Sequence, residues 1–311
     1  MAQGFDMPDT TWQLWTTDRA DYLQKFVYQG RFHAGVHEDV VKDYRIAEHI
    51  MAQAWYYYPM YDEALRKLLG TTEMAIKLRA KEVGIRVTKR TRLQELIDSL
   101  FPLDKGAQFN AHLHRLRSIR NRYAYPEHYS FGAITIQHII VPLVNTLNRV
   151  FLPLETIEAN KEYVEAITDQ VISLNTSACI LEWNGGRYLI REAVPRDAHK
   201  VDGNWVSCWI FHPVFNNAAG SFSKGKYPPP IVLSLVNAEV TEAALIATDV
   251  VTQQPVQLVP TVNILDLTKL AEHNKAWEQA SEEEQMVFRM AQGGSVSDAF
   301  HEAQYRSFWT H

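Results

Sequence analysis

Apolar residues recur every three or four positions through the first half of the chain, the spacing that lines one face of a helix. Residues 18–28 and 38–58 carry that pattern, and Pro59 breaks it. Residues 61–83 follow, with Ala64, Leu65, Leu68, Leu69, Met74, Ala75, Ile76 and Leu78 as a broad apolar stripe. Gly84 is placed to cap that helix. The spacing predicts a short amphipathic helix over 92–100, stopped by Pro102, and a longer one over 107–124. Residues 134–152 are strongly apolar, and Pro142 is expected to kink or interrupt them. Four or five antiparallel helices with short connections make a bundle.

Near residues 155–168 the character changes, and apolar runs bounded by turn residues take over. Residues 178–183 and 187–192 flank Asn184-Gly185-Gly186, a strong hairpin signal. Residues 205–211, 231–236 and 245–251 are further strand candidates, and 216–230 reads as a loop rich in Gly, Ser, Lys and Pro. Helical spacing returns over 265–290, and 297–311 reads as a helical tail bearing Phe300, Tyr305, Phe308 and Trp309. The expected fold class is α+β: an N-terminal antiparallel helical bundle over residues 1–160, followed by a mixed α+β domain over residues 161–311.

Composition narrows the class. A chain of 311 residues, 46% hydrophobic and 22% charged, has the make-up of a soluble globular protein. No run of about 18 apolar residues occurs, so no membrane-spanning helix and no membrane partner are expected. Residues 1–17 lack the basic-then-apolar order of a signal peptide. Cys179 and Cys208 lie in apolar runs and read as buried thiols. No CxxC, no HExxH and no His/Cys cluster at ligand spacing occurs, so neither metal nor cofactor is expected. Together these readings point to a reduced, cytoplasmic protein.

Charge adds the sharpest feature. From Arg66 to Arg122, Lys and Arg number 14 against 5 Asp and Glu, a net +9. The whole chain is −5, so the remainder carries −14. A basic island in an acidic chain points to a polyanion partner. Lys89, Arg90, Arg92, Arg117 and Arg122 are the residues best placed to meet phosphates.

The island ends in Arg120-Asn121-Arg122-Tyr123-Ala124-Tyr125-Pro126, with His128 just beyond. This resembles the signature of the HEPN superfamily, small bundles of four or five helices. Their penultimate core helix ends in Arg, a polar residue, a few more residues and His, often as Arg-Asn-x-x-Ala-His-Pro. The flanks fit as well: an apolar helix with a Leu-Leu-Gly break, a short helix, the motif helix, and a closing helix at 134–151. The resemblance covers roughly residues 55–151. Where RNA-cleaving members place histidine, this chain has Tyr125. In one register Arg120-Asn121 is the motif and tyrosine has replaced histidine. In the other, Arg122 and His128 are the working pair. Asn121 and Ala124 favour the first.

The resemblance implies a homodimer in which two motifs meet to cleave RNA without metal, as toxins and antiviral effectors of this kind do. Histidine moves a proton so that the ribose 2′-OH attacks the adjacent phosphate, and arginine holds that phosphate. The candidate catalytic residues are therefore Arg120, Asn121, Tyr125 and His128. Tyrosine, with an unperturbed pKa of about 10, suits this work poorly near neutral pH. With Tyr125 in the histidine's place, the resemblance implies RNA binding with reduced or lost cleavage.

Plainer roles compete for the same residues. Arg120 and Arg122 would complement the dipole of any solvated helix end. Tyr123, Tyr125 and Tyr129 suit a bundle seam as well as a stacking platform. His112 and His114, two apart, face different sides of their helix, and His138 reads as a core histidine. The rival functional reading is a non-catalytic dimerisation or scaffold module whose C-terminal domain binds a protein partner.

Overall fold

The computed structural model describes residues 6–123, 132–214 and 228–309. They fall into two compact units, one running to Pro153 and the other starting at Leu154.

The described part of the first unit is helical. A 3-10 turn at Thr10–Leu14 leads to α1 (Arg19–Phe26), α2 (Glu38–Gln53), α3 (Met60–Glu82), α4 (Leu93–Leu100), α5 (Leu103–Tyr123) and α6 (Ala133–Val150). The long apolar stripe of α3 explains its central place: Tyr61, Ala64, Leu65, Leu68, Ala75 and Ile76 are buried, and α2, α4, α5 and α6 all pack against this helix. Full burial of each large aliphatic side chain there stabilises by about 1.5–3 kcal/mol. Trp12 closes one end of the core, ringed by Tyr22, Phe26, Tyr58 and Tyr61. Its indole N–H donates to the Ala54 carbonyl at 2.7 Å, so the buried polar atom is satisfied. Pro142 lies inside α6 without ending it. His138 is exposed, which corrects its reading as a core histidine.

The second unit overturns the expected α+β class. It opens with α7 (Leu154–Asn175), a 22-residue helix. Six strands follow: β1 (Cys179–Trp183), β2 (Gly186–Val201), β3 (Asn204–Pro213), β4 (Ile231–Val240), β5 (Leu245–Asp249) and β6 (Pro255–Pro260). Each pairs antiparallel with the next, and β1 also pairs with β6. The sheet is therefore a closed barrel, not a mixed α+β layer. Two features hid this in the sequence. β2 runs to 16 residues, far past the expected end at 192. β6, bounded by Pro255 and Pro260, falls outside the expected strands yet supplies the closing pairs.

Alternate residues fill the barrel. Cys179 and Leu181, Trp209 and Phe211, Leu233 and Leu235, Leu245 and Ala247, and Val256 and Leu258 form one core with Ile167, Val171 and Leu174 of α7. Both cysteines are buried, and burial pushes the Cys179 thiol up to about 11. Two helices complete the unit. α8 (Ile264–Gln279) and α9 (Glu282–Ser307) are separated by Ala280 and Ser281, and Ser281 caps α9 and forms a capping box with Glu284. The continuous helix expected over 265–290 is thus two helices, and the second runs on into the aromatic tail. Its end covers β3 and β4, where Ser307 Oγ donates to Ser234 Oγ at 2.8 Å. Among the described residues, no helix is long and apolar enough to cross a membrane.

Candidate nucleic-acid interface

The basic residues gather because α4 and α5 run antiparallel with a polar ladder between them. Asn110 donates from Nδ2 to the Phe101 carbonyl at 2.9 Å and to Asp98 Oδ1 at 3.1 Å. One turn along α5, His114 Nε2 meets the same Asp98 oxygen at 2.8 Å. One turn further, Arg117 Nη1 donates to Gln94 Oε1 at 3.2 Å. This last contact sets the N-terminus of α4 beside the C-terminal half of α5. Arg92 immediately precedes α4, and Lys89 and Arg90 form the turn before it. Lys89, Arg90 and Arg92 thus stand next to the helix end carrying Arg120 and Arg122.

Lys89, Arg90, Arg92 and Arg122 are exposed. Among the described residues, no carboxylate lies within ion-pairing distance of these four. Arg117 is half-buried, and its Nε has no hydrogen-bond partner among the described residues. Asn121 is exposed and accepts from Arg120 Nη1 at 3.2 Å. The candidate residues Tyr125 and His128 lie outside the described residues, and so does Tyr129. The choice between the two motif registers rests on the sequence.

Arg120 is engaged within its own chain. Its Nη2 lies 2.5 Å from Glu73 Oε2, and the other oxygen of Glu73 takes Lys77 Nζ at 2.5 Å. The carboxylate is 18% exposed and the guanidinium 42%. One acidic residue on α3 therefore holds two cations of the basic island. Pairs this exposed contribute at most about 1 kcal/mol each, so a phosphate can displace them.

The Asp98–His114 contact was not anticipated. A carboxylate only accepts, so the His114 ring donates from Nε2. The hydrogen bonds from His114, and next from Asn110, hold the Asp98 carboxyl below its usual range, against the opposing effect of burial. His112 turns the other way and meets Thr146 Oγ1 at 2.9 Å. The spacing 110, 114, 117 on one helix and 94, 98 on another was visible beforehand as a pair of polar stripes, but nothing local paired them. Among the described residues no group of three or more His, Cys, Asp or Glu is arranged to hold a metal.

Compared with known proteins, the chain matches no family model, no curated protein and no solved structure.

Proposed function

We propose that this chain is a HEPN-like RNA-interacting protein. Its helical unit grips single-stranded RNA by the phosphates, and Arg120 clamps a phosphate with little or no cleavage because Tyr125 stands in the histidine's place. One observation carries the reading. The α4–α5 register puts the cationic turn Lys89-Arg90-Thr91-Arg92 beside the α5 end, and Lys89, Arg90, Arg92 and Arg122 there face no described carboxylate. Solvated cations concentrated on one small region of an acidic chain are what a phosphate backbone binds. The motif Arg120-Asn121 then supplies the family resemblance.

The test is RNA binding as a function of salt, followed by fluorescence anisotropy with a short labelled single strand. With about four phosphate contacts, log K is expected to fall with log salt at a slope of about −3. Replacing Lys89, Arg90 and Arg92 together by Ala should flatten that slope by about 2. Absence of binding at low salt, or a slope the triple variant leaves untouched, would sink the proposal.

A further inference from the structure

The ladder between α4 and α5 contains a carboxylate–imidazole pair that phosphate binding alone does not use. Asp98 Oδ1 takes His114 Nε2 at 2.8 Å and Asn110 Nδ2 at 3.1 Å. Asn110 is buried, and its amide also donates to the Phe101 carbonyl at 2.9 Å, so the carboxylate is fixed from a buried anchor. The pair itself is open to solvent, with side chains 26% exposed for His114 and 49% for Asp98. A contact this exposed adds at most about 1 kcal/mol to the fold. Holding the two helices together does not account for it, because Asn110 and the Arg117–Gln94 contact already set the same register.

General-base chemistry requires this arrangement. An imidazole oriented by a carboxylate through one nitrogen presents the other to a substrate. With Nε2 turned to Asp98, Nδ1 is the nitrogen left to take a proton, and it meets no hydrogen-bond partner among the described residues. Hydrogen bonds from His114 first and Asn110 second hold the Asp98 carboxyl below its usual range, so it stays an anion and an acceptor at neutral pH.

A cation stands beside the pair. Arg117, one turn along α5 from His114, gives Nη1 to Gln94 at 3.2 Å, and its Nη2 has no acceptor among the described residues. Side chains three apart on a helix stand about 5–6 Å from each other at Cβ. In RNA the ribose 2′-OH and the phosphate it can attack belong to one nucleotide unit. A base and a cation at this spacing therefore suit both ends of that unit, and a guanidinium suits phosphate oxygens.

We propose that His114 is the proton acceptor of a slow RNA cleavage, with Asp98 positioning its ring and Arg117 holding the phosphate. The proposal rests on the RNA-binding reading and uses none of the residues of the Arg120 motif. His114 takes the proton of a 2′-OH. The 2′ oxygen bonds to the adjacent phosphorus, and the bond from phosphorus to the 5′ oxygen breaks, leaving a 2′,3′-cyclic phosphate. The departing 5′ oxygen keeps the bonding pair and takes a proton from water. The His114 imidazolium then returns its own proton to the hydroxide so formed.

The experiment incubates the full chain with an end-labelled single-stranded RNA in the presence of a chelator, and anisotropy reads affinity on the same strand. Slow cleavage to 2′,3′-cyclic ends is expected, and none of a DNA strand of the same sequence. His114→Ala should lower kcat by about 100-fold or more with affinity nearly unchanged, and free imidazole added to that variant should restore cleavage. His114→Gln keeps a donor toward Asp98 but cannot take a proton, and it serves as the test if His114→Ala fails to fold. Asp98→Asn should lower kcat by about ten-fold or more and leave KM nearly unchanged, the split expected of a positioning residue. His49→Gln, exposed on α2, should change nothing. Binding without any cleavage overturns this proposal and leaves the RNA-binding reading standing, whereas absence of binding overturns both. Cleavage that persists in the His114 variants overturns it as well. So does cleavage lost in step with affinity and not restored by imidazole, because His114 would then be structural.

Discussion

Glu73→Gln should make the protein bind RNA more tightly. The carboxylate holds Lys77 Nζ and Arg120 Nη2, each at 2.5 Å from one of its oxygens. Glutamine has nearly the same shape and cannot hold two cations by charge. Removing the carboxylate acts twice. It frees two cations, which on a single strand steepens the salt slope by about 0.7–1.4. It also removes a negative charge about 5 Å from any phosphate that Arg120 grips, a repulsion of about 1–3 kcal/mol at an effective dielectric of 80 down to 20. Salt screens part of that term, so a gain of about five-fold at low salt is the conservative expectation. The lost ion pairs should cost the fold about 1 kcal/mol or less. Anisotropy with a labelled single strand over a salt series reads both effects, and Glu302→Gln, which breaks an exposed pair with Arg306 in the other unit, is the control. A Glu73→Gln protein with native circular dichroism and with unchanged affinity and slope would refute the reasoning, because Arg120 and Lys77 would then not meet the RNA.

Stability of the barrel should fall as pH drops from about 6.5 to about 4. His212 and His273 are held near 4 in the folded state against 6.5 ordinarily, so in that window the unfolded chain takes up protons that the folded one refuses. Each site should lower stability by at most about 3 kcal/mol by pH 4, with no further loss from these groups below it. Melting curves in phosphate-free buffer should show the decline, and His212→Gln with His273→Gln should flatten it; a wild-type melting temperature constant from pH 7 to 4 would contradict the assignment. The motif reading predicts that Tyr125→His creates or raises metal-independent RNA cleavage, with products ending in 2′,3′-cyclic phosphate, and that Arg120→Ala abolishes the gain. Strong wild-type cleavage lost in His128→Ala would instead favour the register that pairs His128 with Arg122.

Local order was legible wherever a residue's own neighbours decide its conformation. The stripe from Tyr61 to Leu78 predicted α3 because helical spacing is a property of adjacent turns. Asn184-Gly185 predicted the first hairpin because a two-residue turn of this kind needs positive φ at both positions, and the chain has φ 49° and 72° there. Asp202-Gly203, with φ 49° and 85°, carries the same signal and would have revealed that β2 runs straight on into β3. The basic island, too, is a fact of sequence. So is the motif at its end.

Closure of the barrel was a different matter. It depends on Cys179–Glu182 pairing with Gln257–Pro260, far apart in the chain, and no local pattern encodes which edge meets which. The six short residues of β6 became a strand because β1 and β5 flank them. The same holds for the sites. Sequence placed Arg120 at a helix end, but only folding brought Glu73 from another helix to hold it. Nothing near His114 in the chain points to Asp98, which α4 supplies. Periodicity and turn chemistry are written residue by residue. Charge partners and sheet edges are chosen by the packing of distant segments, and that choice exists only in three dimensions.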